Sequence, residues 1–259
     1  MKKILTVLML FLALGATTMY AQDSENATLL GHFPYDEGLS DIWGYEANNR
    51  EFALVGAENG ISIVDITDPT SLYEVDYIDA SYSFWRDIKT WGNYAYAVDD
   101  QGGDGLFIIN LSQLPESITY IQWNEDGLTT VHNIFIDENG YAYLFGLSAS
   151  NGTDRTMILN LNDTPENPEI VGYYTDAYVH DGFVRGDTMW TSEIYLGRLA
   201  ALDVSDKANP VLLGSAVTPS AFTHNCWLSD NGKYIFTTDE VSNGFIGAFN
   251  VSDVTDMKE

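Results

Sequence analysis

Ile63-Val64-Asp65-Ile66-Thr67-Asp68 returns four more times along the chain. The copies are Ile108-Ile109-Asn110-Leu111-Ser112, Ile158-Leu159-Asn160-Leu161-Asn162-Asp163, Ala201-Leu202-Asp203-Val204-Ser205-Asp206 and Ala248-Phe249-Asn250-Val251-Ser252-Asp253. Their Asp/Asn anchors stand at 65, 110, 160, 203 and 250, so the steps are 45, 50, 43 and 47. A second marker keeps the same beat. The pairs Ser40-Asp41, Arg86-Asp87, His132-Asn133, His180-Asp181 and His224-Asn225 each open a strand-like run, and their second members step by 46, 46, 48 and 44. Two markers in constant phase define a repeat of roughly 46 residues.

Each copy reads as four short strands. In the third copy these are 132–136, 141–145, 156–161 and 169–174, with the turn Asp137-Glu138-Asn139-Gly140 after the first and an irregular loop, 146–154, after the second. The runs are rich in β-branched and aromatic residues and are punctuated by Asn-Gly, Asp-Pro and Asn-Pro, while apolar residues at helical spacing are absent. Four strands at this period predict an all-β chain, a β-propeller of about five four-stranded blades forming one domain over 23–259. Leu29-Leu30-Gly31-His32-Phe33 looks like the fourth strands at Ile170-Val171-Gly172 and Val211-Leu212-Leu213-Gly214. It is therefore expected to complete the last blade and close the ring; if the chain is a fragment, the natural ring is larger.

Residues 1–22 stand apart from the fold. Lys2 and Lys3, the apolar run 4–15 and Met19-Tyr20-Ala21 have the layout of a secretory signal peptide, too short to span a bilayer. The expectation is an exported protein (secreted, periplasmic or at the cell surface) with no transmembrane span in the mature chain. The 259 residues carry 38 Asp+Glu against 11 Lys+Arg, a formal charge of −27. Such a field repels phosphate backbones and argues against nucleic acid as a partner, while favouring divalent cations and basic surfaces. Cys226 is the only cysteine, so no internal disulfide is available, and its apolar flanks suit a buried small hydrophobe. Asn-X-Ser/Thr triplets at Asn26, Asn110, Asn151, Asn162 and Asn250 matter only in a glycosylating host.

Several strings resemble those of the LVIVD-repeat, or choice-of-anchor B, proteins of bacterial cell surfaces. They are Trp43-Gly44-Tyr45, 50–69, Trp85-Arg86-Asp87-Ile88-Lys89, His132-Asn133-Ile134, Tyr178-Val179-His180-Asp181, 203–214, Thr223-His224 and Trp227-Leu228. The resemblance implies a propeller displayed outside the cell, in a family without a settled biochemical activity. Such proteins usually run longer and end in an anchoring segment.

In an up-and-down blade, the link into strand one shares a face with the loop between strands two and three. The pairs that open strand one are therefore expected around the channel mouth, beside the irregular loops 99–104, 147–154, 193–197 and 239–243. His132, His180 and His224, with Asp87, Asp181, Glu193 and Asp239, form a candidate set for Zn²⁺, Mn²⁺ or Fe²⁺. Arg86 is a candidate clamp for an anionic group. Asp99, Asp100 and Asp104 offer oxygens and glycine neighbours for Ca²⁺, without EF-hand spacing. The alternative reading is structural: repeated polar residues at one blade position tie each blade to the next. The anchors Asp65, Asn110, Asn160, Asp203 and Asn250 read as turn-forming side chains, and Trp43, Trp85, Trp91, Trp190 and Trp227 as packing between blades.

Gly-x-Ser-x-Gly, phosphate-loop, dinucleotide, His-Glu-x-x-His and Cys-x-x-Cys signatures are absent from the sequence. Two functions remain open, beside a purely structural role such as a spacer between domains. One is a binding or adhesion module whose irregular-loop face meets an extracellular protein or glycan. The other is a metal-dependent enzyme, with hydrolysis among its options, built on the histidine ring.

Overall fold

A computed structural model describes residues 26–149 and 155–259, of which 31–259 form one compact unit. The expected signal sequence, residues 1–22, and Asn151 lie outside the described residues. Five antiparallel sheets follow one another along the chain. The first holds β1 (Leu39–Ala47), β2 (Arg50–Ala57), β3 (Gly60–Asp65) and β4 (Tyr73–Asp79). The second holds β5 (Arg86–Trp91), β6 (Tyr94–Asp99), β7 (Leu106–Asn110) and β8 (Thr119–Trp123). The third holds β10 (Asn133–Ile136), β11 (Tyr141–Ala149), β12 (Arg155–Asn160) and β13 (Glu169–Tyr174), with the short β9 (Leu128–Thr130) added beside β11. The fourth holds β14 (Asp181–Arg185), β15 (Thr188–Glu193), β16 (Arg198–Asp203) and β17 (Val211–Val217). The fifth holds β18 (Thr223–Leu228), β19 (Tyr234–Asp239) and β20 (Ile246–Asn250).

These are the blades read from the repeat, and their anchors do what was expected. The Oδ1 atoms of Asp65, Asn110, Asn160, Asp203 and Asn250 each accept the backbone N–H two residues on, at 2.8–3.0 Å. That Asx turn ends the third strand and starts the link to the fourth.

Each junction between consecutive sheets has its own apolar core. Phe52, Leu54 and Ile63 meet Ile88, Phe107 and Ile109 between the first two sheets. Tyr96, Val98 and Ile108 meet Ile134, Leu144 and Met157 at the next junction. Tyr143 and Ile158 then meet Val184 and Leu202, and Phe183, Trp190 and Leu199 meet Cys226, Ile235 and Phe249. Strands inside this stack are covered on both sides, so β3, β6 and β16 are buried almost throughout instead of alternating. β19 and β20 do alternate, because their second side faces outward with Phe236 and Ile246 exposed.

The first strands touch in succession, β1 to β5 to β10 to β14 to β18. The side chains two residues beyond Asp41, Asp87, Asn133, Asp181 and Asn225 (Trp43, Lys89, Phe135, Phe183 and Trp227) line a common axis. Phe135 reaches Trp227, two sheets away, with ring centroids 6.4 Å apart, and Lys89 Nζ sits 4.6 Å over Trp43. Only curvature about one axis brings alternate sheets this close. Trp91 and Trp190 pack between sheets as expected, whereas Trp43 and Trp227 serve the axis.

The expected closure by the N-terminal segment is not what the structure shows. Lys258 pairs with Asn250, so the fourth-strand position of the last blade is entered by residues of its own repeat, at the offset by which Tyr73 pairs with Asp65. Phe33 and Tyr35 instead cover the outward side of the first sheet, on Ala53, Val55 and Val64. Gly31 explains the resemblance to fourth strands. A Cβ there would lie 2.0 Å from the Pro69 carbonyl oxygen, as one on Gly172 would lie 1.7 Å from that of Lys207 and one on Gly214 2.0 Å from that of Val254. In each case a glycine lets an outer segment tuck over the turn of the following sheet.

This close approach makes a prediction. Gly172→Ala forces a methyl group into a backbone carbonyl and should lower unfolding free energy by about 2 kcal/mol. Gly44→Ala, where nothing lies within 4 Å, should change it by less than about 0.5 kcal/mol. Urea denaturation of both variants measures the difference.

Candidate functional site

The residue pairs that open each blade divide into two jobs. The second members carry a ladder of hydrogen bonds around the axis. Asp41 Oδ2 accepts Ile88 N–H at 2.9 Å, Asp87 Oδ2 accepts Asn133 Nδ2 at 2.6 Å and Ile134 N–H at 2.9 Å, and Asp181 Oδ2 accepts Asn225 Nδ2 at 3.0 Å. Each rung joins one blade to the next. Burial pushes the Asp87 carboxyl up to about 7, with the Lys89 ammonium at 2.5 Å pulling it down and Asp41 adding to the rise.

The first members differ by blade. Ser40 Oγ accepts Arg86 N–H at 3.0 Å, another tie between blades. Arg86 is 3% exposed; its Nε donates to the Ala57 carbonyl at 2.8 Å and its Nη2 to that of Ser81. As an anion clamp it is thus largely committed, because burial beside backbone acceptors turns its fork inward.

In the last three blades the first member is histidine, and the rings meet. His132 and His180 have centroids 4.0 Å apart, and His180 and His224 4.8 Å apart. Asp181 lies beneath them, with Oδ2 3.5 Å from His180 Nδ1 and Oδ1 4.0 Å from His132 Nε2. Asp100 Oδ2 stands 3.3 Å from His132 Nδ1, and Glu240 Oε2 3.9 Å from His180 Nε2. Burial works against charge on His132, yet Asp100, Asp181 and Glu240 outweigh it and raise the imidazole above its ordinary range. Burial likewise pushes Asp181 up, and the three histidines overcome this and hold its carboxyl below the usual range. The cluster therefore favours positive charge.

Other expected ligands are directed elsewhere. Glu193 accepts Tyr174 Oη–H at 2.8 Å and pairs with Arg198, because its side chain is buried between the third and fourth blades. Asp239 accepts Thr218 Oγ1 at 2.5 Å, Ser220 N–H at 2.9 Å and Phe222 N–H at 3.0 Å, holding the link between the last two blades. Asp87 belongs to the ladder. The expected Ca²⁺ loop does not converge: Asp99 caps Gly102 and Gly103 N–H groups, Asp104 takes Ser81, and Asp100 turns to His132. An acidic, glycine-containing loop satisfies its own backbone donors first, which disperses its carboxylates.

Two confluent hollows, of about 420 and 300 Å³, open at the histidines and share Trp85, His132 and His224. Their walls are aromatic. Trp85 is 47% exposed and Tyr195 73% exposed, with Phe84, Tyr178 and Phe222 beside them. Trp85 was expected in the packing between blades; it lies on the link before strand one and so stands at the rim. Tyr195 could have been marked from its place in the irregular loop 193–197, whereas Phe222 carries no signal in the sequence.

The repeat itself matches a known pattern. The LVIVD-repeat profile fits residues 49–79, 85–120 and 196–218, covering parts of three blades. The chain carries LVIVD repeats. No curated protein matches it in sequence. Solved structures resemble it in fold. A functionally unknown protein from Desulfotomaculum acetoxidans superposes with a TM-score of 0.64 at 12% identity, over 88% of this chain and 71% of that one. A periplasmic gluconolactonase from Pseudomonas aeruginosa gives 0.61 at 11% identity, over 82% and 66%. A β-propeller domain from Myceliophteria thermophila gives 0.59 at 9%, over 86% and 72%. At these identities the likeness is one of fold: the LVIVD repeats of this chain build a β-propeller. Among the described residues no helix is long and apolar enough to cross a membrane.

Cys226 lies just behind the cluster and is 3% exposed. Burial pushes its thiol up to about 12, with the Ser192 hydroxyl opposing and Asp181 adding. The native protein should therefore fail to react with a thiol reagent at mildly alkaline pH, and react fully once unfolded in urea.

Proposed function

We propose that this protein is an exported binding module whose irregular-loop rim holds an extracellular glycan in the cleft around the histidines. The observation that supports the reading is the pairing of exposed aromatic walls with a floor of hydrogen-bonding groups. Trp85 and Tyr195 offer flat faces to the apolar side of a sugar ring. Asp41, Asn133, Asp181 and His224 offer donors and acceptors to its hydroxyls. The acidic lining, with the chain's formal charge of −27, disfavours anionic sugars and selects neutral or basic ones. Export, to the periplasm, the medium or the cell surface, is part of the same proposal and rests on the leader-like residues 1–22.

Isothermal titration with neutral oligosaccharides tests it. Trp85→Ala and Tyr195→Ala should each weaken binding by about tenfold or more while leaving the melting temperature in place. Asn231→Ala, in the tight turn on the opposite side, should leave binding unchanged. Equal losses from the two sides would remove the rim from the argument.

A metal-dependent hydrolase is the second reading, and the convergence of His132, His180 and His224 favours it. Turnover of the bound ligand that disappears with chelator and returns with metal would mark it out.

A further inference from the structure

Donor spacing separates a histidine cluster that only packs from one that can coordinate. Bonds of about 2.0–2.2 Å from a divalent first-row metal to imidazole nitrogen or carboxylate oxygen place neighbouring donors roughly 2.9–3.5 Å apart. His180 Nδ1 and Asp181 Oδ2 are already at 3.5 Å, and His132 Nε2 and Asp181 Oδ1 at 4.0 Å. One ligand atom from each of His132, His180 and Asp181 lies within 4.8 Å of the others, so side-chain adjustment of roughly 1 Å would complete the set.

The free nitrogens are the right ones. Asp100 takes the Nδ1 side of His132, leaving Nε2 toward Asp181. His180 Nδ1 is buried, and the group that faces it is the Asp181 carboxylate at 3.5 Å, too long for a firm hydrogen bond. Glu240 stands off His180 Nε2, where it would accept the proton that an Nδ1-coordinated ring must carry there. Asn225 donates to Asp181 Oδ2 at 3.0 Å and orients that carboxylate. Ligands backed by outer hydrogen-bond partners are how proteins hold a metal in place.

A competing set, His180 with His224 and Glu240, shares His180. A neutral imidazole has one lone pair, so the two sets exclude each other. Burial decides between them. The Asp181 side chain is 7% exposed and that of Glu240 57%, and a solvated carboxylate gains less from a cation than a buried one.

We propose that His132 Nε2, His180 Nδ1 and the Asp181 carboxylate bind one divalent first-row transition metal at the channel mouth. Two imidazoles and one carboxylate on one side leave the remaining coordination positions toward the aromatic cleft. The metal would there meet a ligand's hydroxyl or carbonyl oxygen. The proposal stands apart from the glycan reading, since it concerns the metal alone.

The test is titration of chelator-treated, full-length protein with Zn²⁺ alone near neutral pH, with Co²⁺ absorption as a coordination signature. Wild type should bind one equivalent with a Kd below about 1 μM, and the metal should raise its melting temperature. His132→Ala and His180→Ala should weaken binding by about 100-fold or more, Asp100→Asn by roughly tenfold, and His224→Ala by less than about threefold. Asp181→Asn should also abolish binding; because Asp181 is a rung of the ladder, its melting temperature is read alongside. Wild type that takes up neither Zn²⁺ nor Co²⁺ overturns the proposal. So does binding that survives His132→Ala, or binding lost in His224→Ala and Glu240→Gln while Asp181→Asn retains it. Unchanged sugar affinity in the metal-free protein would leave the glycan reading intact, so the two ideas fail separately.

Discussion

Sheet-on-sheet burial is the constraint from which the rest of the molecule follows. A single blade has two apolar sides and no way to hide either of them alone. Stacking the next blade at a fixed twist buries one side of each, and repeating the operation bends the row around an axis. The ladder from Asp41, Asp87 and Asp181 to the following strand sets the register of that stacking. Apolar contacts tolerate sliding; a buried carboxylate facing a particular N–H does not, because losing the partner costs about 1–3 kcal/mol.

The same constraint sorts the acidic residues. With so many carboxylates, most must be explained by solubility or by backbone satisfaction, and the structure bears this out for Asp99, Glu193 and Asp239. Each ends a second strand, and each spends its oxygens on loop donors or on a buried neighbour. They hold the rim loops in shape. Among the described residues, Asp181, Asp100 and Glu240 turn toward the imidazoles, so the chemistry described at the mouth rests on few groups in a strongly acidic molecule.

Burial and charge act together at that mouth. Low solvent access strengthens every interaction between Asp181 and the rings around it, which is why desolvation fails to neutralise the carboxylate. A cation or a proton is the charge this geometry stabilises, and an anion is the one it repels.

The period of the repeat, the four strands per unit and the turn-forming role of Asp65 and its counterparts are local facts, and the sequence by itself determined them. So was the shared level of His132, His180 and His224, since equal offsets in a repeat become equal heights on a ring. The direction of each side chain was decided by tertiary structure alone. Asp87 and Asp181 occupy the same repeat position, yet one meets the ammonium of Lys89 on its own strand and the other the imidazoles of its neighbour His180 and of His132 in the preceding blade. Gly31 looks like a fourth-strand glycine for a sound reason, but which blade it serves depends on where Pro69 and Lys258 lie in space. Spacing along a chain fixes height around an axis; only packing fixes what a side chain touches.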